Sequence, residues 1–204
     1  MKVTSKLTVL DQITASHMVR RKIIDAASVL YAKKGFTATS IEEIAEKAGV
    51  TLPVTYRYVK KKSEIMEMIM EDVLHTFRKS LTSQIQEMEN PAEKLAAATD
   101  LYFRVVDEER DKLLLLYQKS GSLDRAAKGK IMQLEVEIAK IFGEILKDGV
   151  QKGLFKALDV DLMAYNIIMM AHTWVLKGWH FKNRLSLDQF VALQSNLLME
   201  TLRK

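Results

Sequence analysis

Residues 20–65 read RRKIIDAASVLYAKKGFTATSIEEIAEKAGVTLPVTYRYVKKKSEI, and the punctuation of this stretch decides the fold. Ile23, Ala26, Ala27, Leu30 and Tyr31 recur at three- and four-residue spacing, and Gly35 follows Lys33 and Lys34, which predicts one amphipathic helix with a C-terminal stop. Thr39 or Ser40 then precedes IEEIAEKAGV. Glu42 and Glu43 fall in the first turn, where the positive helix end favours them, and Gly49 closes this second helix early. Thr51 can cap a third helix over roughly Leu52 to Tyr58, and Pro53 is tolerated there because the first turn has no intrahelical donor to lose. Two short helices joined through a Gly-Val turn form a helix-turn-helix candidate. Ile41, Ile44, Ala45, Val50, Thr55 and Val59 are the positions available to bury it against the first helix.

Outward from this stretch, residues 1–16 lack helical periodicity and lack the apolar core of a secretory signal, so they read as a flexible N-terminal arm. Downstream, Ser63 and Glu64 open a long helix to about Met88, and Asn90-Pro91 is a break and restart leading to a helix over Ala92 to Val106. A charged corner spans Asp107 to Asp111, LLLLY begins the next helix, and Gly121 ends it. A long amphipathic stretch follows from Asp124 to Lys152, with Gly149 and Gly153 as its terminators. Asp159 to His180 and Ser186 to Leu202 read as two last helices. The expectation is an all-α chain of about nine helices.

Composition agrees. The 204 residues include 8 Gly, 2 Pro and no Cys, which leaves no disulfide framework and no thiolate chemistry and fits a reducing cytoplasm, the expected location. No apolar run approaches the roughly 20 residues of a membrane helix. The net charge is +5, but it is concentrated: residues 1–65 carry 12 basic against 6 acidic side chains, and the remainder 19 against 20. A basic head on a neutral helical body suits a polyanion partner.

If the third helix enters a major groove, its flanks must reach phosphate and its exposed face must meet base edges. Tyr56 and Tyr58 supply phenolic hydroxyls, Arg57 can reach a guanine edge or the backbone, and Thr39 and Ser40 offer hydroxyls at the start of the second helix. Lys62 adds charge at the fourth helix, and Arg20 and Arg21 can flank the site. The order of these signals from Arg20 to Met68 resembles the DNA-binding domain of the TetR family of bacterial regulators: helix, Gly-aromatic turn, Thr-Ser cap, short helix, Gly-Val-Thr turn, Tyr-x-Tyr recognition helix and Lys-Ser-Glu restart. That resemblance implies phosphate contacts at Thr39, Thr51, Tyr56, Tyr58 and Lys62. It places Leu52, Pro53, Val54 and Arg57 at or beside base-facing positions. Pro53, Val54 and Val59 depart from the family pattern, which bears on operator sequence rather than fold.

The resemblance further implies three parts: an arm over 1–16, a helix-turn-helix domain over 17–63, and an effector-binding and dimerisation domain over 64–204. The function it implies is a repressor that binds a palindromic double-stranded operator as a homodimer and is released by a small hydrophobic effector, with a fatty acyl or acyl-CoA compound as the candidate type. AHTWVLKGW is similar to the penultimate helix of family members that respond to fatty acyl compounds. Leu162, Tyr165, Met169, Thr173 and Leu176 form one stripe of that helix, and Met163, Ile167, Met170, Trp174 and Phe181 the opposite one, so it is apolar on two sides. One side should face a pocket and the other a partner subunit; which stripe does which is left open. The assignment carried forward gives the first stripe, with Phe190, Leu193, Leu197 and Leu198 of the last helix, to the dimer interface. Pocket candidates are Tyr102, Phe103, Val106, Leu116, Tyr117, Leu134, Ile138, Phe142, Asn166, Met170, His172 and Trp174, with 11 Met residues in the chain favouring an adaptable cavity.

The four His residues show no metal-ligand spacing, and there is no Gly-rich phosphate loop, Ser-x-x-Lys or nucleophile elbow, so no cofactor, metal or enzymatic activity is expected. The rival reading is a helical protein-interaction module with a non-functional DNA-binding head.

Overall fold

The structure, a computed structural model, describes residues 9–85, 87–119, 121 and 123–203. Among the described residues ten α-helices follow one another: α1 (Val9–Lys34), α2 (Ile41–Ala48), α3 (Leu52–Tyr58), α4 (Lys62–Ile85), α5 (Pro91–Glu108), α6 (Arg110–Lys119), α7 (Arg125–Gln151), α8 (Val160–Leu176), α9 (Gly178–Phe181) and α10 (Leu187–Leu202). Among the described residues there is no strand, and no helix is long and apolar enough to cross a membrane. The all-α expectation holds, with ten helices rather than nine.

Local signals account for the head. Ser40 caps α2 in a capping box: its hydroxyl accepts from Glu43 N at 3.2 Å, and the Glu43 carboxylate accepts from Ser40 N at 2.8 Å. Gly49 closes α2 at φ 64°, a left-handed conformation open to glycine, and its N–H returns to the last turn. Pro53 sits in the first turn of α3. Ile44, Thr55 and Val59 are fully buried with Ile23, Ala27 and Tyr31 of α1, so the expected inner face forms.

In the body, α4, α5, α7 and α8 pack on one another, α10 lies on α5 and α8, and α6 bridges α1, α4 and α8. Phe77, Tyr102 and Phe142 meet at the centre with ring centroids 4.8, 5.5 and 5.7 Å apart. All three are fully buried, each contributing roughly 1.5–3 kcal/mol through removal from water.

Three boundaries differ from the sequence reading. The first helix begins at Val9, inside the stretch expected to be an arm; residues 1–8 of that arm lie outside the described residues. Gly149 does not terminate the long helix. It lies within α7, where a Cβ would stand 2.2 Å from the Phe155 ring, so its role is close approach, and Gly153 at φ 72° makes the stop. The Asp159–His180 helix is split at Lys177, because Gly178 is a poor helix former, and a Cβ there would stand 3.5 Å from the Lys182 side chain.

Candidate DNA-binding face and effector pocket

Helix α3 stands on the outer side of α2, packed through Thr55, whose hydroxyl donates to Thr51 O at 3.2 Å. Thr51, Pro53, Tyr56 and Arg57 are exposed, and Leu52, Val54 and Tyr58 are half-buried. The Thr51 side chain makes no cap hydrogen bond. Tyr56 donates its hydroxyl to Glu42 at 3.3 Å, and the Glu42 charge raises the phenol above its usual range. Tyr58 donates to Ser16 Oγ at 3.1 Å, so a residue assigned from sequence to a loose arm holds the recognition helix from α1. Lys60 and Lys61 follow as exposed residues; Lys61 pairs with Asp124 at 2.5 Å.

Four residues expected at the DNA are engaged elsewhere in this conformation. Lys62 donates its three ammonium protons to the carbonyls of Phe36, Thr37 and Thr39 at 2.9, 3.0 and 2.7 Å, and lies 5.0 Å from the Phe36 ring centroid. It holds the α1–α2 turn, because those carbonyls follow the end of α1 and lack helical donors. Thr39 is buried, its hydroxyl donating to Gly35 O at 2.9 Å. Arg20 pairs with Glu71 at 2.5 Å, and Arg21 reaches Asp72 at 3.4 Å and Glu109 at 4.0 Å. Both arginines therefore join the head to α4, and Arg21 also reaches the corner between α5 and α6. Lys112 completes that junction from α6, bonding Asp72 at 3.0 Å and the neighbouring Glu109; all three side chains are largely buried. Buried charges persist where each has a partner.

A cavity of about 520 Å³ opens between α4, α6, α7 and α8. Its wall is mostly apolar: Met70, Leu113, Leu116, Leu123, Ile131, Met132 and Met169, with Tyr117, Glu135 and His172 as polar groups and Lys128 and Gly121 beside them. His172 bridges two phenols, Tyr102 to Nε2 at 2.9 Å and Tyr117 to Nδ1 at 2.7 Å. Burial lowers its pKa to about 4, so the ring is neutral. Burial also pushes Tyr117 up to about 12 and Tyr102 well above its usual value, with the Glu135 charge acting in the same direction. Such a site can hold an apolar body and orient one polar end.

Of the pocket candidates, Leu116, Tyr117 and His172 line this cavity, and Tyr102 lies behind it through His172. Phe103, Val106, Ile138 and Phe142 are buried core, and Leu134 packs half-buried against it. Trp174 donates to Asp107 at 2.7 Å and packs on Phe190 with centroids 5.0 Å apart, on the far side of α8. Asn166 and Met170 line a separate open groove of about 390 Å³ between α8 and α10. The lining residues that the sequence reading missed are Met70, Leu113, Gly121, Leu123, Lys128, Ile131, Met132 and Glu135, together with Met169, which it gave to the dimer interface. A signal existed on α7, where Lys128, Ile131, Met132 and Glu135 repeat at helical spacing.

Of the interface candidates, Leu162, Tyr165, Met169, Leu193 and Leu197 are exposed apolar residues on α8 and α10. Thr173 and Leu176 are half-buried beside them, Thr173 donating to Met169 O at 2.7 Å. Phe190 and Leu198 are instead buried in the core of their own chain. Met169 stands on the ridge between the two sides of α8, lining both the cavity and the groove.

Comparison with known proteins places this geometry. Residues 23–69 match the family model for bacterial regulatory proteins of the tetR family, and residues 88–201 match that of the tetracyclin repressor-like C-terminal domain. The HTH-type transcriptional regulator HbdR of Aromatoleum sp. (strain CIB) is 31% identical over 181 residues, covering 89% of this chain and 79% of that one. Among solved structures, AibR in complex with isovaleryl coenzyme A and operator DNA superposes with a TM-score of 0.72 at 21% identity, covering 89% of this chain and 98% of that one. The ketosteroid transcriptional regulator KstR2 of Mycobacterium tuberculosis gives 0.70 at 20% identity, covering 91% and 95%. Those two likenesses are of fold. The matched models and the relative together assign the chain: it belongs to the TetR family of bacterial transcriptional regulators.

Proposed function

We propose that this chain is a ligand-responsive repressor that binds a palindromic operator as a homodimer in the cytoplasm and is released by a small hydrophobic effector. The observation that carries the reading is the uncovered apolar surface of α8 and α10, formed by Leu162, Tyr165, Met169, Leu193 and Leu197, on a chain whose basic head exposes Tyr56 and Arg57 of α3. An exposed apolar patch of this kind marks an interaction surface, and two heads are needed to address successive major grooves about 34 Å apart. Thr51, Leu52, Pro53, Val54, Tyr56, Arg57, Tyr58 and the α2 terminus at Ser40 are the DNA-facing groups in this proposal; Lys62, Thr39, Arg20 and Arg21 position them.

Release follows from shared elements. Helix α6 carries Leu113, Leu116 and Tyr117 of the cavity wall together with Lys112 of the head junction. Helix α4 carries Met70 of the wall beside Glu71 and Asp72, the partners of Arg20 and Arg21. An effector that binds better when these helices are spread lowers the population able to fit both grooves. That two of the solved folds carry names with isovaleryl coenzyme A and ketosteroid is consistent with an acyl or otherwise apolar effector here.

The test is retardation of a DNA fragment from the chain's own upstream region at several salt concentrations. The wild type should bind with a steep inverse salt dependence, and Arg57→Ala should weaken binding by about 1–3 kcal/mol or lower the salt slope by about 1. Leu193→Glu with Leu197→Glu should give single chains by light scattering and abolish specific retardation. A wild type that is monomeric at every concentration, or that binds no such fragment, would instead support the protein-interaction reading.

A further inference from the structure

The cavity contains a charge that the apolar reading alone does not explain. Glu135 lies on its α7 wall, half-buried, and makes no hydrogen bond or ion pair among the described residues. Burial raises its carboxyl above the usual range, and its charge reaches both phenols of the His172 bridge. Among the described residues no cation pairs with it. His172 is neutral with both ring nitrogens bonded to tyrosines. Lys128 stands seven residues earlier, two turns along α7, and donates its ammonium to Gly121 O at 3.2 Å.

We infer that Glu135 is the specificity-determining residue of the pocket. It selects an apolar effector whose polar end is an uncharged hydrogen-bond donor, an alcohol or primary amide, and it excludes a free carboxylate. The physical reason is asymmetric. A hydroxyl or amide N–H gives the unpartnered carboxylate the donor it lacks, and Tyr117 offers a second polar contact at the same end. A carboxylate on the ligand would share a partly buried end of the site with a like charge, while Lys128 of the lining stands two turns away with its ammonium on Gly121 O, which disfavours ionisation of both carboxyls. This inference rests on the reading of the cavity as the effector site.

The test uses displacement of the uncharged apolar dye Nile red at pH 8 by two probes of equal chain length, decan-1-ol and decanoate, against wild type, Glu135→Gln and Glu135→Met. Decan-1-ol should displace the dye from the wild type, with decanoate weaker by about tenfold or more. Both substitutions should bring the two probes within about threefold, strengthening decanoate by removing the like charge and weakening decan-1-ol by removing its charged acceptor. Two uncharged replacements of similar size keep the result independent of either one's folding. Equal displacement from the wild type, or an undiminished gap in a folded variant, would overturn the assignment while leaving the pocket in place. A wild type that takes up no dye would overturn the effector-site reading itself, a different failure.

Discussion

Replacing Lys62 by Met keeps the aliphatic stem and removes the ammonium that ties the α1–α2 turn to the start of α4. The three acceptors stand 2.7 to 3.0 Å away, and the bonds to Phe36 O and Thr39 O are partly buried while that to Thr37 O is exposed. Hydrogen bonds to a charged group are worth about 1.5–3 kcal/mol each, and exposed ones less, so the loss is about 3 kcal/mol once solvent replacement at Thr37 is discounted. For a chain of this size that is a drop in Tm of about 6–12 °C. Denaturant titration reads the stability, and operator binding measured well below Tm across a salt series reads the electrostatics. A residue that staples the turn lowers stability and leaves the salt slope unchanged, because no phosphate contact has gone. A residue that contacts phosphate does the reverse: stability moves by less than about 0.5 kcal/mol and the slope falls by about 1. The second pattern would refute the positioning role assigned to Lys62.

Stability should also depend on His172 below neutral pH. Its folded pKa of about 4 lies beneath the ordinary 6.5, so the unfolded chain takes up a proton between those values and the folded chain does not. The contribution is present above pH 6.5 and is lost as pH falls towards 4, by roughly 3 kcal/mol in all. His172→Gln should flatten the stability profile over that window, and an equally steep profile in the variant would show that other groups cause the loss. Gly149→Ala should cost about 1–3 kcal/mol in denaturant titration, because the added methyl would meet the Phe155 ring at 2.2 Å. Combining it with Phe155→Leu should recover part of that loss; no recovery would place the strain elsewhere.

The head was legible because its signals are short-ranged. A Ser40 hydroxyl reaching Glu43, a Gly49 that takes φ 64° and a Pro53 in a first turn are each decided within three or four residues. Periodicity likewise placed Ile44 and Val59 inside and Leu193 and Leu197 outside. The same local reasoning does not foresee how Lys62 and Thr39 are engaged in the folded chain, where carbonyls of the α1–α2 turn take their donors. On α8 it leaves the choice open, because a helix apolar on both sides carries no mark of which side meets a cavity.

Chain order and composition by themselves thus determined a basic helix-turn-helix head on a neutral helical body, together with the stripes that leave its last helices unpartnered. Only the tertiary structure decided where the pocket lies, that Glu135 sits in its wall, that Trp174 and Phe190 belong to core, and that Arg20 and Arg21 join head to body. The physical reason is range. Caps and turns act over one helical turn, whereas a cavity is the space left when α4, α6, α7 and α8 meet, and an ion pair such as Arg21 with Asp72 exists only after helices distant in sequence have packed.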